Sequence, residues 1–330
     1  MTASRAAVVA VLVLAASTPS QAYLKLGALL NGRVVDATWA QPGPIPYFIS
    51  DRNGGGVTAD DLRGAAERAT ARWMSVTPAK MRFAYQGLTS ATPDAVDGRT
   101  TLGFMDRPDL DRTLGATSFM IDTQTGHIVE ADIFFNSRFA FAVAPNGEPG
   151  RTDLESVVLH ELGHLLGLGH SAIGETERIG SARRVLGTGA VMFPVALAPG
   201  SVADRALQPD DIAGFSDLYP TSDAVANTGG IVGRVTKNGA GVKGAHVVAF
   251  SPETGALIGG FTLDGDGQFV IARLPPGPYV LRVEPIDDAE PDSFFPTQVD
   301  TDFRVTYAPR MVVAPKGGSS NPIEISVLPK

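Results

Sequence analysis

Thr152-Asp153-Leu154-Glu155-Ser156-Val157-Val158-Leu159-His160-Glu161-Leu162-Gly163-His164-Leu165-Leu166-Gly167-Leu168-Gly169-His170-Ser171 is the stretch whose reading decides the fold. It predicts a helix from Asp153 to about Leu166, with Thr152 and Glu155 as a capping box and Gly167 as the stop. Residues four apart lie on one helical face, so His160 and His164 can present two imidazole nitrogens to one metal ion. Glu161 sits one step round from His160, facing the side where a water would bind. Gly167 can adopt the positive φ that turns the chain back and returns His170 as a third ligand. Three neutral imidazoles leave the fourth position of a tetrahedral zinc open, which is the pattern of a catalytic rather than a structural ion. His-Glu-x-x-His arises by chance roughly 0.002 times in a chain of this composition, so coincidence is a poor account of it.

The chain has 330 residues, which suggests about two domains. Its 44% apolar and 19% charged residues, with Gly 37 and Pro 24, describe a globular, loop-rich protein. A net charge of -8 is the wrong sign for a nucleic-acid binder. With no cysteine there are no disulfides, thiolate zinc sites or catalytic thiols. Met1 to Arg5 carries one positive charge, Ala6 to Ala16 is apolar, and Ser20-Gln21-Ala22 has the small residues a signal peptidase reads. Residues 1–22 are therefore expected to be a signal peptide cut before Tyr23. The mature chain is then expected to be secreted or periplasmic, with no integral membrane segment, and monomeric.

Ile45 to Ser50 reads as a strand, and Ala59 to Ser75 as an amphipathic helix capped by Thr58 and Asp61, with Leu62, Ala65, Ala66, Ala69 and Trp73 on its apolar face. Met81 to Tyr85, Thr100 to Phe104, Ala116 to Ile121 and His127 to Phe135 read as strands, and Pro209 to Leu218 as a helix. The polar, small-residue stretch 222–229 is expected to be a linker between a zinc peptidase-like domain at 23–221 and a β-sandwich at 230–330. The sandwich strands are expected at Ile231 to Thr236, His246 to Ser251, Leu257 to Thr262, Gln268 to Leu274, Tyr279 to Glu284, Phe303 to Val313 and Ile323 to Val327.

On the motif His160-Glu161-x-x-His164-x-x-Gly167-x-x-His170-Ser171, the chain resembles the metzincin metallopeptidases, and among them the matrixin branch that includes the matrix metalloproteinases. Ala190-Val191-Met192-Phe193-Pro194 resembles the family's Met-turn, and Gln208 to Phe215 with Leu218-Tyr219 resembles its last helix. The resemblance covers about Thr38 to Tyr219. It implies an α+β catalytic domain with a twisted mixed sheet and three helices, one catalytic Zn2+ on His160, His164 and His170, and Met192 as an apolar floor beneath the ion. It also implies that Asp211 ties the last helix to the Met-turn. By the same resemblance Glu161 is the general base that takes a proton from a zinc-activated water. Protein or peptide substrate is expected to lie along an edge strand at Gly115, Ala116 and Thr117, with Phe193 and Pro194 lining the primed-side pocket, in a setting such as the extracellular matrix. The stretch Gly230 to about Pro285 resembles carboxypeptidase-regulatory-like, transthyretin-type sandwiches.

The chain also departs from the family. Only His127 and His246 remain beside the three expected ligands, too few for the second, structural zinc of vertebrate matrix metalloproteinases. It has no cysteine to hold the zinc latent. Residues Ser171 to Val191 form a longer link than the matrixin one. Calcium is compatible with the resemblance, but no acidic spacing identifies a site, and Asp264-Gly265-Asp266-Gly267 reads as a turn without a distal Glu. The leading expectation is a secreted zinc metalloendopeptidase. The alternative is an exported binding or adhesion protein with an inactive metzincin-like domain.

Overall fold

The structure, a computed structural model, describes residues 24–30, 33–40, 43–180 and 182–330. The expected signal peptide lies outside the described residues. Helix α1 (Ala59–Met74) buries Leu62, Ala65, Ala66, Ala69 and Trp73, and Thr58 and Asp61 form the capping box at its start. Helix α2 (Leu154–Leu165) carries His160, Glu161 and His164. Its cap is not the expected pair of Thr152 and Glu155. The Asp153 side chain accepts from Ser156 N at 3.0 Å, while Thr152 pairs with Phe141 in a short parallel bridge of strand. Glu155 is 1% exposed and ion-paired with Arg68 and Arg72 of α1. A carboxylate taken out of water needs compensating charge, and that demand outweighs the modest gain of closing a capping box.

Both helices lie against a six-stranded mixed sheet. Phe83–Thr89, Ile45–Ser50, Thr101–Met105 and His127–Asn136 run parallel in that order, Thr38–Trp39 joins the start of the last strand, and Gly115–Ile121 closes the sheet antiparallel to it. Among the described residues Gly115–Ile121 pairs only with His127–Asn136, so it is an edge strand. Helix α3 (Pro209–Leu218) begins with proline at its first position and completes this layer. The Ser171 to Val191 link contains a hairpin, Gly174–Ile179 with Ala182–Thr188. Its side chains are largely polar, as in Glu175-Thr176-Glu177-Arg178, so it lacks the apolar alternation by which a strand is recognised.

The expected linker holds a short helix, α4 (Ser222–Asn227), capped by Thr221. The region beyond is a sandwich. One sheet contains Ala240–Gly241, Gly229–Lys237, Gln268–Leu274 and Ile323–Val327; the other contains Leu257–Phe261, His246–Phe250 and Gly277–Glu284 with two short edge pieces. Those pieces, Thr306–Tyr307 and Val312–Ala314, replace the single strand expected from Phe303 to Val313. Pro309 falls between them and has no N–H for the ladder. The fold is therefore α+β followed by all-β.

The two regions share an interface. A buried cluster joins Leu24, Ala172 and Phe193 to Phe261, Ile286, Phe294 and Phe295 of the sandwich region. Asp210 of α3 accepts from Gly259 N at 2.7 Å, and Asp217 of α3 pairs with Arg273 at 3.1 Å.

Candidate metal centre

Three imidazoles meet at the end of α2. The Nε2 atoms of His160 and His164 are 3.1 Å apart and those of His164 and His170 are 3.2 Å apart. His170 reaches this point because Gly167 takes φ +99° and turns the chain. A side chain there would collide with the carbonyl of Ala37, its Cβ lying 2.2 Å from that oxygen. Each ring is held from behind by a main-chain carbonyl: His160 Nδ1 donates to Val191 O at 2.7 Å, His164 Nδ1 to Leu168 O at 2.8 Å and His170 Nδ1 to Ser293 O at 2.6 Å. A carbonyl can only accept, so each Nδ1 bears the proton and each Nε2 presents a bare lone pair. Burial pushes all three pKa values down, that of His160 to about 3, which keeps the rings neutral. Three lone pairs so close together repel unless a cation lies among them, and neutral imidazole nitrogen suits zinc. The donor set thus fits a metal ion.

Glu161 is 5% exposed and lies beside the edge strand, with Oε2 accepting from the Thr117 hydroxyl at 2.8 Å. Burial raises its pKa to about 7, against the lowering effect of that hydroxyl. Gly115 makes room for it, since a Cβ there would lie 3.3 Å from Glu161 Cγ and Oε1. Ala116 is half-buried between these two neighbours. Thr117, expected only as a strand residue against substrate, is thus a direct partner of Glu161.

Met192 packs under α2 against Gly163, where a Cβ would lie 2.2 Å from its sulfur. A glycine inside a helix costs about 1 kcal/mol, so Gly163 is itself a signal in the sequence for this close approach. The turn bearing Met192 is pinned by Asp211, whose carboxylate accepts from Val191 N at 2.9 Å, Met192 N at 3.1 Å and Gln208 N at 2.8 Å. The free carbonyls at the end of α2 are met by Trp39 Nε1 on Leu165 O at 2.8 Å and Tyr219 OH on Leu166 O at 2.7 Å. Those two aromatics stand near either end of the region resembling matrixins.

Phe193 departs from expectation. It is 4% exposed and buried in the cluster with Phe294 and Phe295. An aromatic side chain gains more by sealing this contact between regions than by facing water. Pro194, next to it, is half-buried. His246 is buried against Phe261 with Nδ1 3.0 Å from Glu284, and His127 lies by Thr38; neither joins the three-histidine cluster.

The family model for Matrixin matches residues 38–220, and that for the carboxypeptidase regulatory-like domain matches 230–290. The chain belongs to the matrixin family. The metalloendoproteinase 5-MMP of Arabidopsis thaliana is 30% identical over 181 residues, 53% of this chain and 43% of that protein. The metalloendoproteinase 4-MMP of the same plant is 30% identical over 173 residues, 49% of this chain and 41% of that protein. This matrixin thus spans about two fifths of the length of these relatives. A solved structure, the Bacillus anthracis TIE protein, aligns at 13% identity and a TM-score of 0.22, covering 31% of this chain and 17% of that one, too little to bear on the fold.

Proposed function

We propose that this matrixin is a secreted zinc-dependent metalloendopeptidase, with residues 23–221 as its catalytic domain, 222–229 as a connector and 230–330 as a sandwich domain. The observation that carries the reading is the convergence of three unprotonated Nε2 atoms beside a buried carboxyl. His160, His164 and His170 would hold the ion. Zinc, when bound, supplies a Lewis acid that acidifies water and polarises a carbonyl oxygen.

The chain's own residues do the rest. Among the described residues the edge strand Gly115–Ile121 has no strand partner on one side, so an extended peptide can add as a further strand. Glu161 takes a proton from the attacking water on a carboxylate oxygen and delivers it to the nitrogen of the leaving amine. Thr117 directs that carboxylate by donating to Oε2. Asp211 and Met192 keep the floor of the site in place.

The experiment is a cleavage profile on a peptide library. Activity removed by a chelator and restored by zinc is expected. A chain that takes up zinc and cleaves nothing would contradict the reading and favour a binding or adhesion protein.

A further inference from the structure

Two of the three histidines are fixed from within the matrixin region, by Val191 O and Leu168 O. The third is not. His170 Nδ1 donates to Ser293 O at 2.6 Å, across 123 positions of sequence, into the region beyond the sandwich strand Gly277–Glu284. Ser293 ends a single 3-10 turn, Pro291–Ser293, within which Ser293 N donates to Glu290 O at 2.9 Å. The next two amides, Phe294 N and Phe295 N, both donate to Pro291 O, at 3.1 and 3.0 Å. That arrangement leaves the Ser293 carbonyl directed at the ring.

The turn is gripped from both sides. Phe294 and Phe295 lie in the buried cluster with Phe193 and Ala172, and the Phe294 ring stands edge-on to His170, 6.2 Å between centroids at 78°. On the other side the 174–188 hairpin holds residues 287 to 290. Thr176 N donates to Asp288 Oδ1 at 2.8 Å, Thr176 Oγ1 to Asp288 O at 2.6 Å, and Arg183 to Asp287 O at 2.8 Å. The longer link after Ser171 therefore has a structural role, that of clamping the segment that faces His170.

We propose that the C-terminal region is part of the metal centre, with the Ser293 carbonyl acting as a positioning group that fixes the tautomer and direction of His170. An outer hydrogen bond of this kind raises ligand basicity and holds the ring on the metal, and its loss costs about 10–100-fold in metal affinity. The inference rests on the reading of the three histidines as a zinc site.

Two backbone substitutions in the full chain test it. An ester in place of the Ser293–Phe294 amide removes one N–H donor to Pro291 O and turns the Ser293 carbonyl into a weaker acceptor. An ester in place of the Phe294–Phe295 amide removes the equivalent donor to the same oxygen and leaves the Ser293 carbonyl an amide. Zinc affinity, read by chelator competition, should fall about 10-fold or more for the first and stay near wild type for the second. Equal affinities for the two esters overturn the proposal. Failure of the wild-type chain to bind zinc overturns the three-histidine reading itself, so the two failures are distinct. A second readout needs no variant: in the zinc-loaded wild type the His170 Nδ1 proton should exchange slowly with solvent, and rapid exchange contradicts the proposal.

Discussion

The meeting of His160, His164 and His170 beside Glu161 is legible in the sequence, because helix geometry converts the first spacing into position and the turn at Gly167 returns His170. Their partners were not. Val191, Leu168 and Ser293 act through main-chain carbonyls, which every residue has, so no residue type marks them. Thr117 was legible as a place on an edge strand but not as a hydrogen-bond donor to Glu161. Asp132, in the strand His127–Asn136, shows what burial does to a carboxyl. It is 6% exposed and accepts from Thr101 N at 2.7 Å. Burial, with the charges of Glu130, Asp97 and Asp94, pushes its pKa from 3.8 to about 8. The folded chain therefore holds this proton where the unfolded chain has released it. The resulting stability is fully present below about pH 4 and is lost as pH rises toward 8. Asp132→Asn should remove that dependence. Between pH 5 and pH 8 the Tm of the variant should rise relative to wild type, and a difference that stays constant with pH contradicts this account.

The helices were the most legible elements. The spacing of Leu62, Ala65, Ala66, Ala69 and Trp73 predicts the buried face of α1, and all five are buried. Elements whose evidence was polar or interrupted were less so, as in the hairpin after Ser171, the short helix α4 and the strand broken at Pro309. The cap of α2 departs from the local pattern because Glu155, which satisfies that pattern, serves two arginines of α1 instead. Asp211 links elements directly, since one carboxylate closes the start of α3 and holds the turn carrying Met192. Asp211→Ala leaves three N–H groups without their acceptor, two of them buried. Each buried donor so exposed costs about 1–3 kcal/mol, so a loss of about 3 kcal/mol or more in unfolding free energy is expected. Urea denaturation measures it, and a loss under about 1 kcal/mol would show that the turn is held by other contacts.

At the scale of the molecule, the sequence divided the chain into a peptidase-like domain and an accessory sandwich. The structure joins them through Phe193, Phe261, Phe294 and Phe295, through the pairing of Asp217 with Arg273, and at His170 itself. This joint is illegible in the sequence because a phenylalanine after the methionine of the Met-turn carries no sign of whether it faces a substrate or another part of the chain. Unfolding should accordingly be a single transition. Tryptophan fluorescence reports Trp39 and Trp73, both in the matrixin region, whereas far-UV circular dichroism reports the whole chain. The two curves should coincide in urea, and separated midpoints would mean that the regions unfold independently.

In the proposed mechanism three histidines hold one zinc while Glu161 moves the proton. Its most direct measurement is zinc content and peptide cleavage for Glu161→Ala beside the wild type. About one zinc per chain is expected in both proteins, with turnover in the variant reduced by about 10²–10⁴-fold. Cleavage by the zinc-loaded variant at the wild-type rate would contradict it.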